Sequence, residues 1–381
     1  MSHIKDQFLL APDVIFLNHG SFGATPQSVF EAYQSWQREL ERQPVEFLDR
    51  RFAERMSTAR IALGEYLGTG PDNLVYITNA TVGVNIIARS LDLGPDDEVV
   101  STNHEYGACD RAWRFLSQKQ GFKYTNQTVS MPLTSADEFV VQLWQSVTAR
   151  TKVIYLSHIT SPTAVIFPVA DVCRRAREQG ILTVVDGAHV PGQIHLDLEE
   201  IGADFYTGNL HKWLCSPKGA GFLYAHPNVQ NLLEPLVVSW GWQSEKPGLS
   251  QFVDHHEWWG TRDIAAFLSV AAAIRFQEEN DWDKVRVDCH ALAVEAETRL
   301  CELTGLPSQY SGDSWYAQMV SASLPPETDI VALKMRMYDD YRIEVPLVKW
   351  NEKKLIRISV QGYNMQTDID RLMDALGKTL W

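Results

Sequence analysis

Ile181–Leu223 reads ILTVVDGAHVPGQIHLDLEEIGADFYTGNLHKWLCSPKGAGFL. One apolar run ends in Asp186 and a second closes near Thr207. His211 and Lys212 follow, then a glycine-rich apolar run. Asp186 and Lys212 stand 212 − 186 = 26 positions apart, enough for a crossover between two neighbouring parallel strands. A carboxylate and a lysine at adjacent strand ends can hold opposite ends of one small molecule.

Outward from this stretch the pattern repeats. Leu74–Ile77 reads as a strand that breaks at Thr78-Asn79-Ala80-Thr81 into an apolar helix running to Leu91. Small polar residues at such a junction leave backbone N–H groups at a helix N-terminus, where anions bind. Glu98–Ser101 is a strand delivering Asn103-His104-Glu105-Tyr106. A helix from about 108 to 120, a strand near 122–129 and a helix over 135–148 follow. Val153–Leu156 is a strand delivering Ser157–Thr163, and a helix over 168–179 stops at Gly180. Strands alternating with helices predict an α/β chain with a mostly parallel, doubly wound sheet. Ligands of such sheets sit at the carboxyl ends of the strands. The polar clusters at 79–81, 104–106, 157–163, 186–189 and 207–212 all fall there.

The flanks are less regular. Residues 1–24 read as an irregular segment packing with the small domain, in which Val14–Leu17 leads into a glycine-rich loop, Asn18-His19-Gly20-Ser21-Phe22-Gly23. Thr25-Pro26 opens a helix with Val29, Tyr33, Trp36 and Leu40 on one face. A second helix carries Leu48, Phe52, Met56 and Leu63 and stops at Gly68. Beyond Leu223, Trp240–Trp242 and His255–Asp263 read as loops. A long helix is expected over 263–279 and another over 283–304. Strands near 316–323, 342–348 and 354–360, with a helix near 329–340 and a terminal helix from Thr367, suggest a small α/β domain. The expected division is an N-terminal segment 1–24, a large domain 25–279 and a small domain 280–381.

Bulk properties narrow the function. A chain of 381 residues is long enough for two domains. Its net charge of −14 argues against nucleic-acid and anionic-membrane partners. The apolar run Ile264–Phe276 is too short to span a bilayer, and the N-terminal residues lack the basic-then-apolar pattern of a secretory leader. The five cysteines, scattered and odd in number, form neither a disulfide framework nor a metal motif. A reducing cytoplasm is the expected home. The adjacent His255 and His256 lack metal-ligand spacing, so no metal is expected.

VVDGAH, then DFYTGNLHKW, then PKGAGFLY resemble the pyridoxal-phosphate enzymes of aminotransferase class V. LNHGSFGATP, NHEYGAC and YTGNLHKWLCSPKG are most similar to the isopenicillin N epimerase-like branch. The resemblance runs from about Leu17 to Arg357. It implies the PLP-dependent transferase fold type I: a large domain with a mostly parallel seven-stranded sheet flanked by helices, plus a smaller C-terminal α/β domain. It implies pyridoxal 5'-phosphate carried as a Schiff base on Lys212, with Asp186 keeping the ring nitrogen protonated. His189 would touch the ring or its oxygen. His104 or Tyr106 would stack on the ring, and Ser161 or Thr163 would replace an asparagine that contacts the ring oxygen. The phosphate would lie against Ala80 and Thr81, completed by Asn209 and His211. Gly260-Thr261 would reach the phosphate of a second subunit, which implies a homodimer with shared active sites. Arg357 would pair with the substrate carboxylate, and Asn18 and His19 would line the entrance.

For the reaction, the stretch Tyr341–Lys353 ahead of Arg357 contains no cysteine, which disfavours a persulfide desulfurase. Epimerisation of an amino-acid-like substrate through Lys212, with Tyr106 or His19 as a second acid, is the first expectation. A C–S lyase acting by β-elimination, an aminotransferase, and a binding protein of the same fold without activity are the alternatives.

Overall fold

Strands with almost no exposed residue form the centre of the molecule. The computed structural model describes residues 2–380. Its main sheet has seven strands: β1 (Leu74–Ile77), β2 (Glu98–Thr102), β3 (Lys123–Gln127), β4 (Thr151–Ser157), β5 (Leu182–Asp186), β6 (Phe205–Asn209) and β7 (Gly221–Ala225). Their spatial order is β1-β7-β6-β5-β4-β2-β3. The pairs from β6 to β3 are parallel, whereas β7 runs antiparallel to both β6 and β1. Every residue of β1, β2, β6 and β7 is buried, as a sheet covered by helices on both faces requires. Only the edge strand β3 is mostly half-exposed. Phe205 and Phe222 are fully buried, each worth about 1.5–3 kcal/mol of transfer from water. Two of the buried tyrosines have satisfied hydroxyls: Tyr76 donates to the Ala59 carbonyl at 2.8 Å, and Tyr206 meets His158 Nδ1 at 2.9 Å.

The register aligns the chemistry. Ser157 of β4 lies beside Asp186 of β5, which lies beside Thr207 of β6. A second sheet of three antiparallel strands, Leu347–Trp350, Lys353–Ser359 and Met319–Leu324, packs under the long helix Trp282–Thr304. The N-terminal segment is stitched to this part. Ile15–Phe16 pairs in parallel with Ile343–Glu344, and the Ser359 N–H donates to the Leu17 carbonyl at 2.9 Å.

Several elements depart from the sequence reading. Residues His19–Phe22 form a helical turn inside the expected loop, with Gly23 beyond it at φ +70°. His255, His256 and Glu257 belong to a helix, Gln251–Glu257, whose Ser250 side chain accepts from the Val253 N–H. The expected helix over 263–279 is broken at Ser269 into Ala265–Leu268 and Val270–Glu279. The strand expected over 342–348 divides at Val345-Pro346, where proline cannot donate to a ladder. No helix among the described residues is long and apolar enough to cross a membrane.

Candidate active site

A cavity of about 470 Å³ opens at the carboxyl ends of β1, β4, β5 and β6. Its walls include Asn79, Ala80, Thr81, Tyr106, Ser157, Ser161, Asp186, His189, Asn209, His211 and Lys212, together with Ser21 and Phe22 from the N-terminal turn. A larger depression of about 810 Å³ lies at residues 227–255 and beside Asp72. It holds neither Asp186 nor Lys212.

Lys212 sits in the loop between β6 and β7. The Leu210 and His211 N–H groups donate to the Ala220 carbonyl at 3.0 and 3.3 Å, and the Cys215 N–H donates to the Lys212 carbonyl at 3.0 Å. Its amine lies 3.2 Å from His189 Nε2. Burial, and then the charge of Arg357, pull its pKa down to about 7 from 10.5. Trp213 Nε1–H donates to His189 Nδ1 at 3.3 Å. Indole is only a donor, so Nδ1 is an acceptor and the hydrogen of the neutral ring resides on Nε2, facing the lysine. Burial first, and then Lys212, hold the His189 pKa well below its ordinary value. Near pH 7 a neutral imidazole therefore faces an amine that titrates between its charged and neutral forms.

Asp186 is buried at the end of β5. Its Oδ1 accepts from the Ala188 N–H at 2.9 Å; Tyr155 and the Cys109 thiol approach Oδ2 only at 3.4 and 3.5 Å. Among the described residues no cationic side chain forms an ion pair with it, and burial raises its pKa. A buried carboxylate aimed into a cavity without a cation of its own fits a protonated ring nitrogen brought by a ligand. At the other end, Asn209 Oδ1 accepts from the Ala80 N–H at 2.8 Å, which leaves the Asn209 amide nitrogen as the donor toward the cavity. The helix Ala80–Ser90 begins there, capped by Asn79 through the Val82 N–H at 3.0 Å. His211 Nδ1 donates to the Ala220 carbonyl at 3.1 Å. A cavity with a carboxylate at one end, a helix start at the other and a lysine between them fits pyridoxal phosphate. Asp186 would hold the ring nitrogen, Lys212 the aldehyde carbon, and Thr81, Asn209 and His211 the phosphate.

The remaining predicted positions divide. Tyr106 lines the cavity, is 47% exposed and precedes the helix Gly107–Gln120. His104 is buried away from the cavity wall: its Nδ1 meets Thr163 Oγ1 at 2.7 Å, its Nε2 donates to the Val129 carbonyl at 3.0 Å, and Trp350 covers its ring. Of the two stacking candidates only Tyr106 reaches the cavity. Ser161 lines it, whereas Thr163 is engaged with His104. Arg357 is buried behind the wall, donating to Ser161 O at 2.8 Å, Ser161 Oγ at 3.2 Å and Ser21 Oγ at 3.1 Å. Asn18 donates to Glu344 at 2.9 Å, and His19 lies beneath the Lys212 turn; neither is on the wall. Gly260 and Thr261 lie outside the cavity of this chain.

Three participants were not anticipated. Ser21 and Phe22 reach the mouth because the expected loop is a helical turn. Glu105 sits behind Ser157, whose N–H and hydroxyl donate to it at 2.8 and 2.6 Å; burial pushes its carboxyl up to about 8. An acidic residue just past a buried strand was the only sequence signal for it.

The Aminotransferase class-V family model matches residues 15–372. The isopenicillin N epimerase of Amycolatopsis lactamdurans is 34% identical, over 98% of this chain and 97% of that protein. A probable chloroplastic L-cysteine desulfhydrase of Arabidopsis thaliana is 29% identical, over 96% of this chain and 82% of that one. Among solved structures, a C-DES mutant with glycine covalently linked to the PLP cofactor superposes with a TM-score of 0.85 at 20% identity, covering 98% of this chain and 99% of that one. The last is a likeness of fold.

Proposed function

The chain belongs to the aminotransferase class-V family and is a pyridoxal-phosphate enzyme, and on that premise we propose that it moves a proton at Cα of an amino-acid-like substrate in the manner of an epimerase. One observation carries the reading: the cavity wall holds Lys212, with its pKa lowered to about 7, and the half-exposed Tyr106, two proton carriers on one chamber. Pyridoxal phosphate, when bound, supplies the electron sink that makes a Cα proton acidic. Lys212 takes that proton in its neutral form, which burial makes a substantial fraction of the amine near pH 7. His189 Nε2 at 3.2 Å orients the amine. Tyr106 returns a proton from elsewhere on the wall. Arg357, one layer behind the wall and bonded to Ser161 and Ser21, supplies the positive charge toward which the substrate carboxylate is drawn.

No cysteine is among the cavity-lining residues. Cys109 is buried with its thiol held well above its ordinary pKa, first by burial and then by Asp186, and is a poor nucleophile. A persulfide route has no support on this wall. The higher identity to an epimerase than to a desulfhydrase supports our preference for epimerisation over C–S lysis. The same reading makes the protein a cytoplasmic homodimer whose Gly260-Thr261 loop serves the partner's site. The test is incubation of purified holoenzyme with L-amino acids in deuterated water. Deuterium at Cα, with no pyruvate, sulfide or keto acid released, is the expected result. Stoichiometric pyruvate would overturn epimerisation in favour of the lyase.

A further inference from the structure

The glycine-rich motif Asn18–Gly23 forms no part of the cofactor contacts, yet it is moulded against the lysine. His19 Nε2 lies 3.0 Å from the Lys212 carbonyl oxygen. A carbonyl at that distance requires Nε2 to carry its hydrogen, so Nδ1 accepts from the Tyr363 hydroxyl at 2.9 Å, while the Gln361 amide packs alongside at 3.2 Å. The ring leans on Trp213 at 5.0 Å between centroids. Gly23, at φ +70°, lies so close that a Cβ there would stand 2.0 Å from the His211 carbonyl oxygen and 2.9 Å from the Lys212 Cα. A Cβ on Gly20 would meet Met319, Ser359 and Trp213. Two residues past His19, Ser21 accepts from Arg357 and donates to Asn18 at 2.5 Å. One turn therefore touches the lysine's backbone on one side and the arginine's guanidinium on the other.

We propose that this turn fixes the position of the Lys212 amine relative to Arg357, with His19 as the positioning residue that grips the Lys212 carbonyl and Tyr363 as the group that orients His19. The inference rests on the assignment of Lys212 as the cofactor lysine for its importance, though not for its geometry. His19 touches neither the cavity nor a ligand there; it acts through the lysine's peptide. Burial keeps it neutral, with a pKa lowered to about 3, so it is a fixed hydrogen-bond donor across the working range. Charged and titratable groups acting on Lys212 are Arg357 and Asp186 from two separate strands and Cys109 from the helix beyond β2; the Lys212 amine also faces His189. Loss of the grip lets the peptide relax and the amine escape that desolvated position.

The experiment reads the lysine directly in the full-length protein stripped of cofactor. The pH dependence of Lys212 acylation by trace acetic anhydride is followed by peptide mass spectrometry for the unaltered chain, His19→Phe, His19→Gln and Tyr363→Phe. His19→Phe is expected to raise the labelling midpoint by about one pH unit toward the ordinary lysine value. Tyr363→Phe should move it the same way by less, and His19→Gln, which keeps an N–H donor at the same reach, should hold it. If His19→Phe does not fold, the other two variants decide. Unshifted midpoints in Tyr363→Phe and His19→Phe, or a His19→Gln shift as large as that of His19→Phe, would overturn the proposal. The second outcome would mean that ring packing, not the hydrogen bond, matters. Neither outcome depends on which reaction the enzyme runs.

Discussion

Lys212 is a base kept against its own solvation. Folding takes its pKa from 10.5 to about 7. A lowered folded-state value on a base penalises the fold fully below that value, and the penalty fades as pH rises to the unfolded value. The chain without cofactor should therefore be stabilised by Lys212→Met, by up to about 5 kcal/mol below pH 7 and by nearly nothing above pH 10.5. Urea unfolding of both proteins at pH 6.5 and pH 10 measures this, and an equal difference at the two pH values would refute it. Asp186 and Lys212 were legible because carboxylate and lysine each follow an apolar run at crossover spacing. His19 was read as an entrance residue and a possible second acid, whereas the structure takes it off the wall and sets it against the Lys212 carbonyl. Its partner Lys212 lies 193 positions away, and no local pattern encodes a contact of that range.

Among elements, the helix Ala80–Ser90 shows how position is set by what is absent. Glycine in a helix costs about 1 kcal/mol relative to alanine, yet Gly83 faces β6 so closely that a Cβ would stand 2.1 Å from Thr207 Oγ1 and 2.9 Å from Ile77 Cδ1. Gly83→Ala should push the helix start away from the sheet. A stability loss of about 1–3 kcal/mol is expected, with weakened cofactor retention because Ala80 and Thr81 move with the helix. Thermal melts with and without pyridoxal phosphate check both, and an alanine variant as stable and as tightly loaded as the parent would contradict the account. Helix stops were readable where glycine takes the left-handed conformation, as at Gly68 and Gly180. The helix Gln251–Glu257 was missed although Ser250 stands at its cap, because tandem histidines and tryptophans obscured its period. The reversal of β7 was not visible in its residues, since buried parallel and antiparallel strands are equally apolar. Only the short β6–β7 connection hinted at it.

At the scale of the whole molecule, a conspicuous apolar surface is the stretch beyond β7. Trp240 is 84% exposed, and Val238 and Leu249 are exposed with it. Isolated apolar residues on a surface are ordinary, but a cluster asks for a partner. The proposed homodimer covers it, so light scattering should give twice 43.2 kDa. Trp240→Glu should weaken the association and, with the partner's Gly260-Thr261 withdrawn, lower cofactor retention. A parent protein that runs as a single chain would remove the dimer from the reading. The α/β class and the seven-stranded sheet were legible from the alternation of runs alone or with the family resemblance. Packing of residues 1–24 on the small domain was expected, but the pairing of Ile15–Phe16 with Ile343–Glu344 was not, because a contact of that range has no local periodicity.

That packing has a consequence for the order in which the living chain is made. Ile15–Phe16 emerges early from a ribosome, but the strand it pairs with, Ile343–Glu344, follows 343 − 15 = 328 positions later. The sheet, the β6–β7 loop and the lysine can assemble from neighbouring segments while synthesis continues. The turn proposed to grip the lysine takes its ties from much later residues, Glu344, Arg357, Gln361 and Tyr363. On the proposed assignment, a nascent chain carries Lys212 in an unlocked pocket until the residues from Glu344 to Tyr363 have been made, and the grip on the lysine arrives with them.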